Sequence, residues 1–222
     1  MRGKFITFEG GEGAGKSTQT ERLAQRLKAL GIDVVLTREP GGSNGAEIIR
    51  HVILSGAAKP LGPEVEAVLF AAARADHLEK VIRPALERGS WVVCDRFADS
   101  TRAYQGVLGK VDPRVIRSLE RVTVGDTMPD LTVILDISPE LGLERAHARR
   151  GGSEADRFEN EGSDFHRRLC AAYQEIALSE PDRCVLINAG AAEDQVGDEV
   201  WSVVRRKLTP KPAETTAKAA AP

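Results

Sequence analysis

Short apolar runs rich in β-branched residues alternate along this chain with longer segments of helical periodicity. The runs occupy residues 5–8, 34–37, 91–94, 131–136 and 184–188. After the first run, Leu23, Leu27 and Leu30 recur at helical spacing, and Gly31 provides a stop signal. Consecutive apolar positions within each run are typical of strands covered on both faces. This alternation predicts an α/β protein, with a five-stranded parallel sheet and helices on both faces.

Two stretches differ from this pattern. Residues 149–162 are rich in charge and glycine, and residues 209–222 consist mainly of Pro, Ala, Thr and Lys with hardly any apolar bulk. We expect one domain over residues 1–208, with a mobile lid at about 149–162, and a disordered tail over 209–222.

Composition and charge exclude several classes of protein. The 222 residues are 41% hydrophobic and 29% charged with a formal charge of −2, so we expect no nucleic-acid partner. The N-terminus lacks the apolar region of a signal peptide, and nowhere do about 18 apolar residues run unbroken. Three cysteines and four histidines lack metal-site spacings. We therefore expect a cytoplasmic protein without a membrane span or a histidine or cysteine metal centre.

A phosphate-binding loop lies between the first predicted strand and the first predicted helix. Its residues fit G-x-x-x-x-G-K-[ST] and are Gly10, Gly11, Glu12, Gly13, Ala14, Gly15, Lys16 and Ser17. Glycines let backbone N–H groups turn toward phosphates, Lys16 can reach the β- and γ-phosphates, and the Ser17 hydroxyl can hold Mg²⁺. The alternative, a glycine turn that only joins strand to helix, is disfavoured by the complete pattern. A nucleoside triphosphate is the predicted ligand.

Two aspartates at strand ends are candidates for the carboxylate that such sites place near Mg²⁺. Asp95 follows the run 91–94, and Asp136 ends the run 131–136. Asp95 is favoured because Arg96 follows it, and a guanidinium there can pair with a phosphate of an acceptor. For Asp136, which precedes Ser138 and Pro139, a helix cap or solvated strand end is the favoured interpretation.

Four separated motifs resemble those of bacterial thymidylate kinases. They read FEGGEGAGKST at 8–18, TREPGG at 37–42, DRFADSTRAYQG at 95–106 and DRFE at 156–159. The resemblance covers about residues 4–208. It implies the P-loop nucleoside monophosphate kinase fold, a homodimer, and transfer of a phosphate from ATP to dTMP with Mg²⁺ as cofactor, a step toward dTTP.

The base-binding residues implied by the resemblance make physical sense. Phe70 and Arg74 are one helical turn apart and project from one face of a predicted helix over 64–86. The resemblance implies that Phe70 stacks on thymine and that Arg74 donates to a carbonyl of the base, with Thr101 and Gln105 completing its polar recognition. On residues alone, a core side chain is the favoured interpretation of Phe70, as it is for most phenylalanines in helices. An apolar row on the same helix, formed by Val65, Leu69 and Ala72, suits either a subunit interface or a cover for the sheet.

The sugar and phosphate of the acceptor have implied partners as well. A carboxylate in the phosphate loop repels triphosphate unless it serves another ligand, and the resemblance assigns Glu12 to the 3′-hydroxyl of the deoxyribose. Tyr104 would pack where a ribose 2′-hydroxyl would otherwise fit. Arg38 and Arg96, each beyond a strand, would clamp the 5′-phosphate in line with the γ-phosphate of ATP.

Arginines around the predicted lid provide further positive charge. Arg145, Arg149, Arg150 and Arg157 lie on or beside it, and Gly13 stands where some relatives carry an arginine in the phosphate loop. The resemblance implies that the lid supplies this charge, from Arg149 and Arg157, with Arg150 competing with Arg149. A solvated helix end is the alternative for each. Many relatives carry Asp where this chain has Asn188, so the role of this residue near the adenine stays open.

The predicted site divides into four sets. The catalytic set is Lys16, Asp95, Arg96, Arg149 and Arg157, and Ser17 and Asp95 form the metal set. The ATP-binding set comprises the loop residues, Thr18 and Arg145. The acceptor set is Glu12, Arg38, Phe70, Arg74, Arg96, Ser100, Thr101, Tyr104 and Gln105.

Three other functions compete with this prediction. A kinase for another nucleoside monophosphate shares the ATP half of the argument, but Glu12, Tyr104 and Gln105 argue against it. A GTPase-type switch would need the guanine-reading sequence Asn-Lys-x-Asp, which the chain lacks. An assembly or DNA-handling ATPase would be expected to carry a basic tract or additional domains, and the sequence predicts neither.

Overall fold

Five parallel strands form a single sheet. The computed structural model describes residues 2–150, 158 and 161–208, without the side chain of Arg150. The strands are β1 Phe5–Gly10, β2 Val34–Arg38, β3 Trp91–Asp95, β4 Leu131–Asp136 and β5 Cys184–Asn188. Their order is β2-β3-β1-β4-β5, and every neighbouring pair is parallel. The predicted sheet is confirmed, with β1 at its centre.

The edge strands differ from the expectation that all strands are covered on both faces. Every residue of β1 is buried. On the edge strands, Leu36 of β2 and Leu186 of β5 are 42% and 40% exposed. An edge strand has a neighbour on one side only, and the flanking helices leave part of its outer rim to solvent.

Helices connect the strands. They are α1 Lys16–Ala29, α2 Asn44–Leu54, α3 Pro63–His77, α4 Arg83–Glu87, α5 Ala98–Thr101, α6 Pro113–Thr123, α7 Pro139–Arg150, α8 Ser163–Ser179 and α9 Glu193–Leu208. A π-helical turn, Leu78–Ile82, joins α3 to α4, a longer one, Arg102–Leu108, extends α5, and a 3₁₀ turn, Lys59–Leu61, precedes α3. Among the described helices, none combines the length and apolarity needed to cross a bilayer.

Helices cover both faces of the sheet, as predicted. On one face, α1 and α9 pack over a core that includes Ile6, Phe8 and Val133. On the other face, Phe5 joins a core with α4 and the start of α5, and Ile134 packs against α8. Successive residues of a strand point to opposite faces, so the same strand serves both cores.

Two helical predictions need refinement. Helix α1 ends just before Gly31, whose φ of +78° is the left-handed conformation of a helix stop, but Leu30 is 63% exposed and does not belong to the buried row. On α3, Val65 is 38% exposed and Ala72 is exposed, so this apolar row does not cover the sheet. The buried face of α3 instead carries small residues and polar groups such as Arg74.

Candidate active site

The phosphate loop folds around its own lysine. Gly13 and Gly15 have φ values of +68° and +85°, which L-residues with side chains rarely adopt. The Lys16 ammonium is buried and donates to the carbonyls of Gly10 at 3.1 Å and Gly11 at 2.7 Å. Burial lowers the pKa of Lys16, and the nearby Arg96 charge adds to that effect. The loop therefore holds a cation at its centre.

The two candidate carboxylates have different surroundings. The Ser17 hydroxyl donates to Asp95 at 2.6 Å. Strand pairing causes this proximity, because Asp95 lies opposite Phe8 in the β1–β3 register, just before the loop. Asp136 instead accepts hydrogen bonds of 3.1 and 3.2 Å from the Gln174 amide. Of the two, Asp95 is the carboxylate beside Ser17.

A charged cluster joins the loop to the segment after β3. The Arg96 guanidinium donates to Glu12 at 2.6 Å and lies 5.3 Å from the centre of the Tyr104 ring, whose hydroxyl donates to the same Glu12 oxygen at 3.2 Å. Arg96 has a φ of +67°, an uncommon conformation for this residue type. Burial of Glu12 favours its neutral form, but the charges of Arg96 and Lys16 outweigh burial and lower the pKa to about 2. Glu12 is thus a fixed anion.

A buried carboxyl group supports this segment from behind. Glu9 is fully buried and accepts hydrogen bonds from the Phe97 backbone N–H at 2.7 Å, the Ser100 hydroxyl at 2.7 Å and the Tyr173 hydroxyl at 3.0 Å. Burial and the nearby Asp99 charge raise the pKa of Glu9 to about 7. The sequence prediction did not include this residue, although it lies in the first motif.

One cavity of about 210 Å³ gathers the predicted acceptor residues. Every one of them lines it: Glu12, Arg38, Phe70, Arg74, Arg96, Ser100, Thr101, Tyr104 and Gln105. The prediction missed Glu39, Pro40, Arg50, Leu54, Phe97 and Phe158, which also line it. Glu39, Pro40, Phe97 and Phe158 lie within the recognised motifs and could have been included, whereas Arg50 and Leu54 carry no such signal.

A second cavity lies between the loop and the end of β5. Its lining includes Thr18, Arg145 and Arg149. The Arg145 guanidinium donates to the Ala189 carbonyl at 2.7 Å, which holds it against the turn after β5. Asn188 accepts a hydrogen bond from the Gly190 N–H at 2.9 Å and so shapes that turn.

The two cavities meet at the loop, because Gly13, Gly15 and Arg149 line both of them. Of the other predicted lid arginines, Arg157 and the side chain of Arg150 lie outside the described residues. A phosphate loop with one cavity on either side can bring a donor and an acceptor together end to end. Fold and site together define a kinase of the nucleoside monophosphate class.

Comparisons with known proteins specify the family. The family described as Thymidylate kinase matches residues 8–200. A thymidylate kinase of Bradyrhizobium diazoefficiens is 61% identical over 96% of this chain and 93% of its own, and one of Nitrobacter winogradskyi is 58% identical over 98% and 94%. A crystal structure of thymidylate kinase from Ehrlichia chaffeensis has a TM-score of 0.73 at 34% identity and covers 92% of this chain and 99% of that one. The chain belongs to the thymidylate kinase family.

Proposed function

We propose that this enzyme transfers the γ-phosphate of ATP to dTMP, yielding ADP and dTDP on the route to dTTP. The observation that carries the proposal is the phosphate loop shared by two cavities, one of which gathers every predicted acceptor residue. We assign the catalytic unit to residues 1–208. The proposed compartment is the cytoplasm, since both substrates are metabolites of that compartment.

The donor nucleotide occupies the second cavity, with its triphosphate in the loop. Lys16 then exchanges the carbonyls of Gly10 and Gly11 for phosphate oxygens, and its ammonium neutralises negative charge on those oxygens. We assign Arg145 to the adenine, and its hydrogen bond to the Ala189 carbonyl at the edge of the second cavity supports this assignment.

Mg²⁺ fits the pair formed by Ser17 and Asp95. A hydroxyl and a carboxylate oxygen 2.6 Å apart are ligands of the type that this ion accepts, directly or through water. Among the described residues, no three His, Cys, Asp or Glu side chains converge on one point. That arrangement suits an ion that takes most of its ligands from phosphates and water. When bound, Mg²⁺ neutralises charge on the phosphates.

The acceptor cavity offers separate groups for each part of dTMP. Phe70 provides a face for stacking, while Arg74, Thr101 and Gln105 surround the edge of the base. Glu12 accepts from the 3′-hydroxyl, and the ring of Tyr104 fills the space of a ribose 2′-hydroxyl. The buried positions of Arg74, Thr101 and Gln105 support this assignment, because a buried polar group discriminates against a base that leaves it unpaired.

Two arginines hold the acceptor phosphate. Arg96 is paired with Glu12, and Arg38 with Glu47 at 3.0 Å, so both guanidinium groups already lie in defined positions. A 5′-phosphate entering between them competes with these carboxylates for the same donors. The phosphate dianion is itself a competent nucleophile, so positioning and charge neutralisation carry the reaction.

The lid, at about residues 149–162, provides the remaining charge. Arg149 lines both cavities and lowers the pKa of Glu12 together with the larger effects of Arg96 and Lys16, which supports its assignment to the phosphates in transfer. We assign Arg157 the same role, with Arg150 as the competitor of Arg149.

An assay of ADP release tests the reaction. With Mg-ATP, the acceptors dTMP, dUMP, UMP, dCMP, dGMP and AMP are compared at equal concentration. We expect the highest kcat/KM with dTMP, and a Glu12→Gln variant to lose acceptor turnover without losing ATP binding. Comparable rates with purine or ribose acceptors would refute the assigned base and sugar contacts. ADP release that ignores every acceptor would refute the transferase function.

The enzyme is proposed to act as a homodimer through the outer faces of α2 and α3. Exposed apolar side chains cluster in this part of the chain, including Ile48 at 70%, Val52 at 38%, Leu61 at 60%, Val65 at 38% and Val68 at 49% exposure. Helices α2 and α3 pack side by side, and we assign these side chains to one interface.

The oligomeric state tests this surface directly. We expect sedimentation of the wild type at twice the chain mass and Val68→Glu at the chain mass. Leu178→Glu is the matched control, because Leu178 is 82% exposed on α8, a helix that packs against β4 and β5. A Val68→Glu variant that still sediments as a dimer refutes the proposed interface.

A further inference from the structure

A buried hydrogen-bonded chain runs from β2 through α3 to the base-binding arginine. The Thr37 hydroxyl lies 2.8 Å from Nε2 of His77, whose Nδ1 lies 3.1 Å from Oε1 of Glu39. The other oxygen of Glu39, Oε2, accepts from Nε of Arg74 at 2.7 Å. His77, Glu39 and Arg74 are 0%, 6% and 4% exposed. These contacts replace water around each polar group.

Donor and acceptor chemistry fixes the direction of the bond between His77 and Glu39. The Glu39 carboxylate can only accept, so Nδ1 of His77 carries a hydrogen. The other ring nitrogen, Nε2, faces the Thr37 hydroxyl, which ends the chain.

The same contacts leave one nitrogen of Arg74 for a ligand. Nε donates to Glu39, and Nη2 donates to the Phe97 carbonyl at 3.0 Å and to the Thr101 hydroxyl at 3.1 Å. Within the described part of the chain, Nη1 has no hydrogen-bond acceptor, and Arg74 lines the acceptor cavity. A nitrogen with donors only favours a carbonyl on the base and disfavours an amino group.

We propose that Thr37, Glu39 and His77 are positioning residues that fix Arg74 to distinguish a 4-carbonyl from a 4-amino pyrimidine. This inference rests on the proposed function, since it takes Arg74 as the residue that contacts the base. Gly42 belongs to the same arrangement. A Cβ at Gly42 would collide with both His77 Nε2 and Thr37 Oγ1 and would separate that pair. The TREPGG motif would then serve two purposes, the contact of Arg38 with the acceptor phosphate and the positioning of Arg74.

The test is the ratio of kcat/KM for dTMP to that for dCMP. In Glu39→Gln, an amide replaces the carboxylate, so Arg74 loses its charged partner and its fixed orientation. We expect the ratio to fall at least about tenfold, with KM for ATP unchanged. Thr37→Val, which removes only the outermost hydroxyl, is expected to give a smaller fall. Combining Glu39→Gln with Arg74→Ala should add little to the loss caused by Arg74→Ala alone, because both changes remove the same function, the oriented Arg74 donor.

Glu47→Gln is the matched control. Glu47 lies close in the chain but pairs with Arg38 and accepts from the Gly42 N–H at 2.9 Å, so its loss affects phosphate binding for both acceptors alike. We expect lower turnover with an unchanged ratio. Equal losses for both acceptors in a folded Glu39→Gln enzyme refute the positioning role. If Glu39→Gln does not fold, an unchanged ratio in Thr37→Val refutes it. A wild type that does not prefer dTMP to dCMP refutes the proposed function itself.

Discussion

Glu9 is expected to make the stability of this enzyme depend on pH between 5 and 8. Burial and the neighbouring Asp99 charge raise the pKa of Glu9 from 4.5 in its ordinary state to about 7 in the folded chain. The folded state therefore binds this proton more tightly than the unfolded chain. The resulting stabilisation is complete below pH 4.5 and is lost as the pH rises through 7.

The Glu9→Gln variant isolates this effect, because glutamine has the shape of the protonated acid and does not titrate. The hydroxyls of Ser100 and Tyr173 can reverse their hydrogen bonds and accept from the new amide. From the two pKa values, the wild type should lose about 2 to 3 kcal/mol of unfolding free energy relative to the variant between pH 5 and pH 8. Asp99 does not add to this change, because Arg183 holds its pKa below the usual range despite its burial.

Urea unfolding followed by tryptophan fluorescence measures the difference at each pH, at one fixed protein concentration so that subunit association does not vary. Glu21→Gln, on the exposed side of α1, is the matched control for the general loss of one glutamate. A difference between wild type and Glu9→Gln that stays constant from pH 5 to pH 8 would refute the reasoning. So would a wild type that gains stability relative to the variant as the pH rises.

Three further predictions concern the loop, the metal pair and a buried ion pair. Gly13→Ala is expected to lose at least about 2 kcal/mol in thermal unfolding, because its φ is +68° and a Cβ would strike the Gly142 carbonyl; an unchanged melting temperature contradicts this. Asp95→Asn should lower kcat at least about tenfold and raise the Mg²⁺ concentration for half-maximal rate, and an unchanged Mg²⁺ titration would show that Asp95 does not serve the metal. Arg183→Ala removes the bidentate partner of buried Asp99 and should lower the free energy of urea unfolding by about 3 to 5 kcal/mol. Arg114→Ala, at an exposed ion pair, is the control and should leave the urea midpoint unchanged. Equal midpoints for the two variants would contradict this prediction.

Local sequence signals predicted the sheet, and the resemblance to thymidylate kinases predicted the residues that line much of the acceptor cavity. The limits of β4 and β5 were correct because turn-forming residues flank both of these predominantly apolar runs. Phe70 and Arg74 were placed on one side of a helix by spacing alone, and both line the cavity. Their roles toward a substrate stay predictions.

The supporting residues could not be found in the same way. Glu9 and Tyr173 are 164 positions apart, and Glu39 and His77 are 38 apart, so only packing brings them together. The sequence pattern also could not predict which face of α3 is buried. Ala67, Ala71 and Ala73 are buried while Val65 and Val68 face outward, which is the reverse of what hydrophobicity alone indicates.

The phosphate loop and α7 touch through two glycines. A Cβ on Gly13 would meet the Gly142 backbone, and a Cβ on Gly142 would meet the Glu12 carbonyl, so neither side tolerates a side chain. An arginine at position 13 would have to displace α7, the helix that carries Arg145 and Arg149. We therefore expect that the arginine that faces the transferred phosphate can come from the loop or from α7, but not from both. A chimera that imports the loop of an arginine-bearing relative should work only if α7 is imported with it.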